Sequence, residues 1–324
     1  MFTKLLGTTL EKICNTAQIE ILLVAPFIKA PVLQQILTFI KPEITIKCVT
    51  RWLPEEIITG VSDLEVWSII QCYPYASLWL RNDLHAKYYR ADDQCLIGSA
   101  NLTAKALGWS NQPNLELLVQ LPANQPSLQQ FEQELWKNCF QVNAQLYEQY
   151  LKVISQLQNQ NLSINDLILP LKSDLDIAIN DLWLPTSRNP EELYLAYSGK
   201  IDKLTNIAYE MAINDLDFLS IYPHLNKTTF NDYVGILLLQ KPIIQQIDSF
   251  VKTPQRFGAV RDFLASLPCA KLPNFNPERS WQTLMRWLLY FLPSRYALSV
   301  PNYSEVFYRI NTKNDTNRTT SDLP

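Results

Sequence analysis

LHAKYYRADDQCLIGSANLTAKALG, residues 84–108, decides how the first half of this 324-residue chain is read. His85 and Lys87 are two apart, so on a strand they leave the same face, and Ser99 and Asn101 repeat that spacing further on. The stretch 84–101 reads as a β-hairpin. A three-residue loop at 92–94 (Asp-Asp-Gln) sets Lys87 opposite Ser99 and His85 opposite Asn101. An imidazole, an ammonium, a hydroxyl and an amide then meet on one patch. A two-residue loop would send Ser99 and Asn101 to the other face, so this reading requires three. The loop holds no glycine, which leaves Asp93 or Gln94 to take the positive φ that such loops need.

Around this hairpin, strand and helix signals alternate. Residues 19–27 form an apolar run closed by Pro26, as in a strand buried on both faces. Pro31 opens a helix to about Ile40, 45–50 is a second strand, and Ser62 is expected to cap a helix to about Gln71. A third strand is expected at 76–80. A short helix should reach Leu107 and end at Gly108, followed by a strand at 114–121. Ser127, with Gln130 three residues on, has the spacing of a capping box for a long helix. Such alternation implies an α/β fold with a mixed sheet flanked by helices.

Beyond about Gln160 helical spacing dominates, in 201–218, 240–252, 256–267 and 280–292. The expected division is a catalytic half-domain at 1–160, a mostly helical domain at 161–310, and a disordered polar tail at 311–324. The role of the helical domain, nucleic-acid or partner binding, is left open. No internal repeat relates the halves.

Composition narrows the chemistry. Apolar residues make up 47% of the chain and the formal net charge is −3, so a phosphate-bearing partner must be held by local charge. The six cysteines form no C-x-x-C pair and read as reduced, buried thiols of a cytoplasmic protein. The start, MFTKLLGTTLEKIC, lacks the apolar core of a signal peptide, and the most apolar runs, 21–28 and 287–292, are too short to cross a bilayer. Stable membrane insertion is not expected. The only histidines are His85 and His224, and there is no H-E-x-x-H, so no metal and no cofactor is expected.

The hairpin groups suit a phosphodiester. A neutral imidazole can attack phosphorus and form a covalent phosphoramidate, splitting one hard displacement into two. Lys87, Ser99 and Asn101 can donate to the non-bridging oxygens. A second imidazole must protonate the leaving oxygen. His224 does not offer one: Lys227 is three residues away, no H-x-K pair results, and His224 reads as structural.

H-A-K followed by Asp92 and then G-S-A-N resembles the H-K-D signature of the phospholipase D superfamily, through His85, Lys87, Asp92, Gly98, Ser99 and Asn101. The upstream order of apolar strand, V-T-R-W (49–52) and G-V-S-D-L is similar to that of bacterial members with a single motif. The resemblance covers roughly residues 15–140. It implies a phospholipase D-like fold and a metal-independent phosphodiesterase acting through a phosphohistidine on His85. It also implies that two motifs face one another, hence a homodimer here. The family's acidic residue that orients the imidazole matches Glu116. One departure is that the spacing from Asp92 to Gly98 is a residue shorter than usual.

Ordinary readings stand beside these. Ser99 and Asn101 also suit a helix start, and Asn101 can do both. Asp92 reads as a turn residue. Arg51, Trp52 and Asp63 either line the pocket mouth or are a surface Arg, a packed Trp and a helix-start Asp. Arg256, Arg261, Arg279, Arg286 and Arg295 interleave with Trp281, Trp287 and Tyr296. That pattern fits a nucleic-acid surface, but an amphipathic helix with its tryptophans buried is preferred. The leading functional expectation is a homodimeric nuclease, by analogy in a restriction or defence setting. The alternatives are a phospholipid phosphodiesterase or phosphatidyl transferase, and a non-catalytic binding module.

Overall fold

The run EILLV forms strand β1 (Glu20–Val24), with every residue from Ile21 to Val24 buried. A strand covered on both faces takes parallel neighbours through crossover connections. β2 (Thr45–Thr50) pairs parallel with β1, and β3 (Ala76–Leu80) pairs parallel with β2. Helix α2 (Ala30–Leu37), with Pro31 in its first turn, makes the first crossover. α3 (Pro54–Ile58) and α4 (Val66–Gln71) make the second. On the other side of β1 the sheet turns antiparallel through β4 (Tyr88–Ala91), β5 (Gln94–Gly98) and β6 (Leu118–Pro122). With β7 (Phe140–Gln141) against β3, the order is β6-β5-β4-β1-β2-β3-β7. Helices α1 (Lys4–Thr16), α5 (Pro126–Lys137) and α6 (Ala144–Asn159) complete this part. The mixed α/β sheet flanked by helices is the one expected.

This computed structural model describes residues 4–137, 139–159, 182–273 and 275–310. The chain divides into two compact units, Met1–Gln160 and Asn161–Pro324. The expected disordered tail at 311–324 lies outside the described residues, as does all of 160–181.

Three expectations about helices fail in the first unit. Ser62 does not cap α4: its hydroxyl is buried without a partner among the described residues, and α4 starts after Glu65. Ser127 is not a cap either, because α5 begins at Pro126 and the Gln125 carbonyl takes the first N–H groups. The segment before Gly108 is a chain of turns rather than a helix, although Gly108 does take a left-handed φ of 79°.

The second unit is mainly helical: α7 (Glu191–Tyr197), α8 (Asn206–Leu219), α9 (Lys227–Leu239), α10 (Pro242–Phe250), α11 (Phe257–Ser266) and α12 (Pro277–Phe291). Thr205, Asn226 and Asn276 cap α8, α9 and α12 by accepting N–H bonds of 3.2, 3.0 and 2.8 Å. A small antiparallel sheet, β8 (Gln255–Arg256), β10 (Val306–Arg309) and β9 (Tyr296–Ser299) in that order, was not expected. Asp248 anchors it, taking both Arg295 nitrogens at 2.8 Å, the Tyr296 hydroxyl at 2.7 Å and Arg309 at 3.2 Å.

Candidate active site at the open end of a hairpin

Pairing of β4 with β5 corrects the loop expectation. Tyr88 lies opposite Ile97 and Ala91 opposite Gln94, so the turn is the two residues Asp92 and Asp93. Asp92, not Asp93 or Gln94, takes the positive φ of 50°. Its carboxylate makes that conformation worthwhile by accepting from the backbone N–H groups of Gln18, Ile19 and Glu20 at 2.7, 3.0 and 2.9 Å. Burial pushes this carboxyl up, but those three donors and Arg90 outweigh it, and its pKa lies below the usual aspartate value. Asp92 therefore pins the entry to β1 against the turn.

At the other end the ladder stops. Its last rung is the Gly98 N–H donating to the Lys87 carbonyl at 3.3 Å, which places Lys87 opposite Gly98 rather than Ser99. Beyond it strand parity no longer dictates where side chains go, and several polar groups converge. The Ser99 hydroxyl donates to Glu116 and accepts the Leu117 N–H at 3.1 Å. The other Glu116 oxygen accepts from the Asn114 amide at 3.2 Å. Lys87 donates to the His85 carbonyl at 2.6 Å, which among the described residues leaves two of its three N–H bonds free. Burial lowers the pKa of Lys87, the positive charge of Arg51 lowers it further, and Glu116 pulls the other way. Lys87 thus feels both of those charges.

The glycine of G-S-A-N has a steric reason. A Cβ on Gly98 would lie 1.9 Å from the Leu117 carbonyl oxygen. Only glycine lets β6 come this close, and that approach carries Glu116 to Ser99, whose own N–H donates to the same Leu117 carbonyl at 2.9 Å.

His85 presents an exposed imidazole, with no hydrogen-bond partner among the described residues. The expected bond from Glu116 to that imidazole is replaced by those from Ser99 and Asn114. Asn101 does not cap a helix: its side-chain oxygen is buried without a partner among the described residues, while its carbonyl accepts the Thr103 N–H at 2.8 Å. That oxygen only accepts, so any bond from Asn101 to a phosphate oxygen has to come from its amide N–H groups.

Of the three residues considered for the pocket mouth, Arg51 alone reaches the site. It forms a two-pronged pair with Glu56, donates to the Leu84 carbonyl at 3.1 Å and stacks 5.4 Å from the Phe27 ring centre. It thereby fixes the backbone immediately before His85. Trp52 is fully buried, edge-on to Tyr150 at 5.2 Å. Asp63 pairs with Lys29 and accepts the Ala30 N–H at 2.8 Å, holding the start of α2. Sequence reading missed Glu56 and Asn114; neither stands in a pattern that marks its partner. His224 lies in a turn at a φ of 62°. All six cysteines are free and, against expectation, Cys72 is exposed. Among the described residues no cluster of three or more His, Cys, Asp or Glu is placed to hold a metal, and no helix is long and apolar enough to cross a membrane.

No family model matches the sequence, and no curated protein matches it. Several solved structures are similar over part of the chain. NucT from Helicobacter pylori is 13% identical, covers 43% of this chain and 92% of its own, and gives a TM-score of 0.36. Phosphatidylserine synthase from Haemophilus influenzae is 13% identical over 67% of each chain, with a TM-score of 0.38. Nuc from Salmonella Typhimurium, a phospholipase D family member, is 18% identical, with 42% of this chain and 90% of its own covered and a TM-score of 0.34.

Proposed function

We propose that this chain is a metal-independent phosphodiesterase of the phospholipase D type, that two copies complete its site, and that nucleic acid is its substrate. The observation that carries this reading is the open end of the β4–β5 hairpin. There the exposed His85 imidazole follows directly on a carbonyl held by Arg51, and Lys87 lies within the fields of Arg51 and Glu116. In the proposed reaction a His85 ring nitrogen bonds to phosphorus as the bond to the leaving oxygen breaks. Lys87 and the Asn101 amide hold the non-bridging oxygens. The imidazole of a second copy gives the leaving oxygen its proton, then takes one from the water that releases the phosphoryl group.

A row of apolar side chains supports the second copy. Leu115, Leu117 and Val119 are 92%, 51% and 42% exposed, at alternate positions leading into the edge strand β6 and flanking Glu116. An apolar row along an open sheet edge favours a covering partner. A two-fold contact there would set two equivalent sites side by side.

Incubation of the full chain with single- and double-stranded DNA, RNA and a short-chain phospholipid, with and without EDTA, tests the reading. Nucleic acid should be cut equally well in EDTA, and His85→Ala should lose roughly a thousandfold or more in rate. Loss of cleavage in EDTA, or a fully active His85→Ala, overturns the mechanism; cleavage of lipid alone moves the substrate to a phospholipid. Leu117→Asp should sediment as an inactive monomer, and an active monomer removes the shared site.

A further inference from the structure

The structure sorts the arginine- and tryptophan-rich pattern of the second unit. Trp281, Trp287 and Tyr296 are buried, Arg295 is committed to Asp248, and Arg261 pairs with Asp262. Arg256, Arg279 and Arg286 remain exposed, and Arg286, on the open face of α12, lines a shallow recess of about 530 Å³ with Arg188, Asn189, Glu191, Leu289 and Tyr290. Neither guanidinium of the recess has a hydrogen bond or ion pair among the described residues.

The recess is built rather than incidental. The indole N–H of Trp287, next to Arg286, donates to the carbonyl of Ser187, next to Arg188, at 2.7 Å in the core. On the other side, the buried Asp215 carboxylate accepts the N–H groups of Thr186 and Ser187 at 3.0 and 2.8 Å. The two arginines therefore leave backbones tied to each other, which lowers the entropy lost when both grip one anion. Asn189 uses its side-chain oxygen to accept the Glu191 N–H at 3.2 Å, so its amide hydrogens are left to donate. Tyr290 is one turn beyond Arg286 on the same helix face and supplies an aromatic surface, with Phe291 edge-on behind it at 4.9 Å.

We propose that this recess binds one nucleotide unit of a single-stranded nucleic acid, its phosphate between Arg188 and Arg286 and its base against Tyr290. Two guanidiniums suit a phosphate through paired N–H donors, and an aromatic face takes any base that is not already stacked in a duplex. Glu191 limits the recess to a formal charge of about +1, which fits a single phosphate, and offers an acceptor to a sugar hydroxyl. From the function proposed above, this inference takes only the substrate class.

Binding is best measured on the full-length His85→Ala protein, where nothing is cut, by fluorescence anisotropy of a short labelled oligothymidylate, its RNA counterpart and a duplex across a salt series. Single strands should bind more tightly than duplex. Arg188→Ala and Arg286→Ala should each weaken binding on the order of tenfold, and together lower the slope of log affinity against log salt by about 0.7, the value for one phosphate on a single strand. Tyr290→Leu should weaken binding on the order of tenfold without changing that slope. An unchanged slope and affinity in the double arginine variant, with thermal unfolding intact, overturns the inference. So does a preference for duplex, or displacement of the oligonucleotide by an acidic polypeptide as readily as by unlabelled oligonucleotide. Hydrolysis of bis(4-nitrophenyl) phosphate by the His85 form carrying both arginine substitutions separates the two proposals. Unaltered turnover with weakened oligonucleotide binding supports a separate site, and a collapse in turnover overturns that separation.

Discussion

Asp92 at the turn of the β4–β5 hairpin and Glu116 beside its open end are both carboxylates, but their donors differ in kind. Asp92 receives three backbone N–H groups from the segment entering β1. Such donors cannot move without unmaking the fold, so this carboxylate is a clamp. Glu116 receives side-chain donors, the hydroxyl of Ser99 and the amide of Asn114, and it acts on the charge of Lys87. Side-chain donors can re-pair when a substrate or a second imidazole arrives. The difference separates the part of the motif that builds the hairpin from the part available for chemistry, and each substitution below tests that separation.

Of these substitutions, Lys87→Met should have the largest effect. Removing one fixed donor to a developing oxyanion costs about 10²–10³ in rate, so kcat/KM should fall by that factor while the unfolding temperature stays within about a degree. Equal losses in stability and activity would mean that the open end is as structural as the turn.

Gly98→Ala tests the join between the ends. The added methyl meets a backbone carbonyl that cannot swing aside, so β6 must shift or the strand must bend. About 2–4 kcal/mol of stability should be lost in urea unfolding, with activity falling further than stability alone predicts because Glu116 moves with Leu117. A fully active, stable Gly98→Ala protein would show that the close approach is dispensable.

Asp92→Asn should cost only stability, about 1–2 kcal/mol given how open the turn is to water, with turnover per folded molecule unchanged. The sign with pH follows from the lowered pKa. The contribution is complete above the unfolded aspartate pKa and disappears as pH falls through the folded one. Unfolding curves of the two proteins should therefore converge in acid and separate toward neutrality. Separation that persists at the acid end would mean that the clamp does not depend on charge.

These contrasts also show where sequence was a sufficient guide. β2 and β3 lie at 45–50 and 76–80, where the sequence reading places them. The hairpin register was not legible. Tyr88 and Tyr89 are both buried, so β4 shows no apolar–polar alternation and parity had nothing to fix it. The two-residue turn depends instead on Asp92 reaching back to residues 18–20, a contact that only the assembled sheet creates. α9 went unread because nearly every side chain in YVGILLL is covered, which erases the helical period. The site residues were nameable because they are few and chemically distinct. Their partners were not, because Glu56 and Asn114 earn their positions through folding rather than spacing.

The smallest effect should be a displacement of the alkaline limb of activity. Lys87 serves only while protonated, so turnover should fall as pH rises through its pKa, earlier than for an ordinary lysine because burial and then Arg51 lower that value. Replacing the Arg51–Glu56 pair by two glutamines removes the neighbouring cation without stranding a buried carboxylate, and the limb should move to higher pH. Glu116→Gln removes the group that favours the ammonium, and the limb should move to lower pH. Opposite displacements from two neutral replacements, read in pH–rate profiles, identify Lys87 as the titrating donor. If neither profile moves, another group controls the limb, and the charge environment assigned to the open end of the hairpin is wrong.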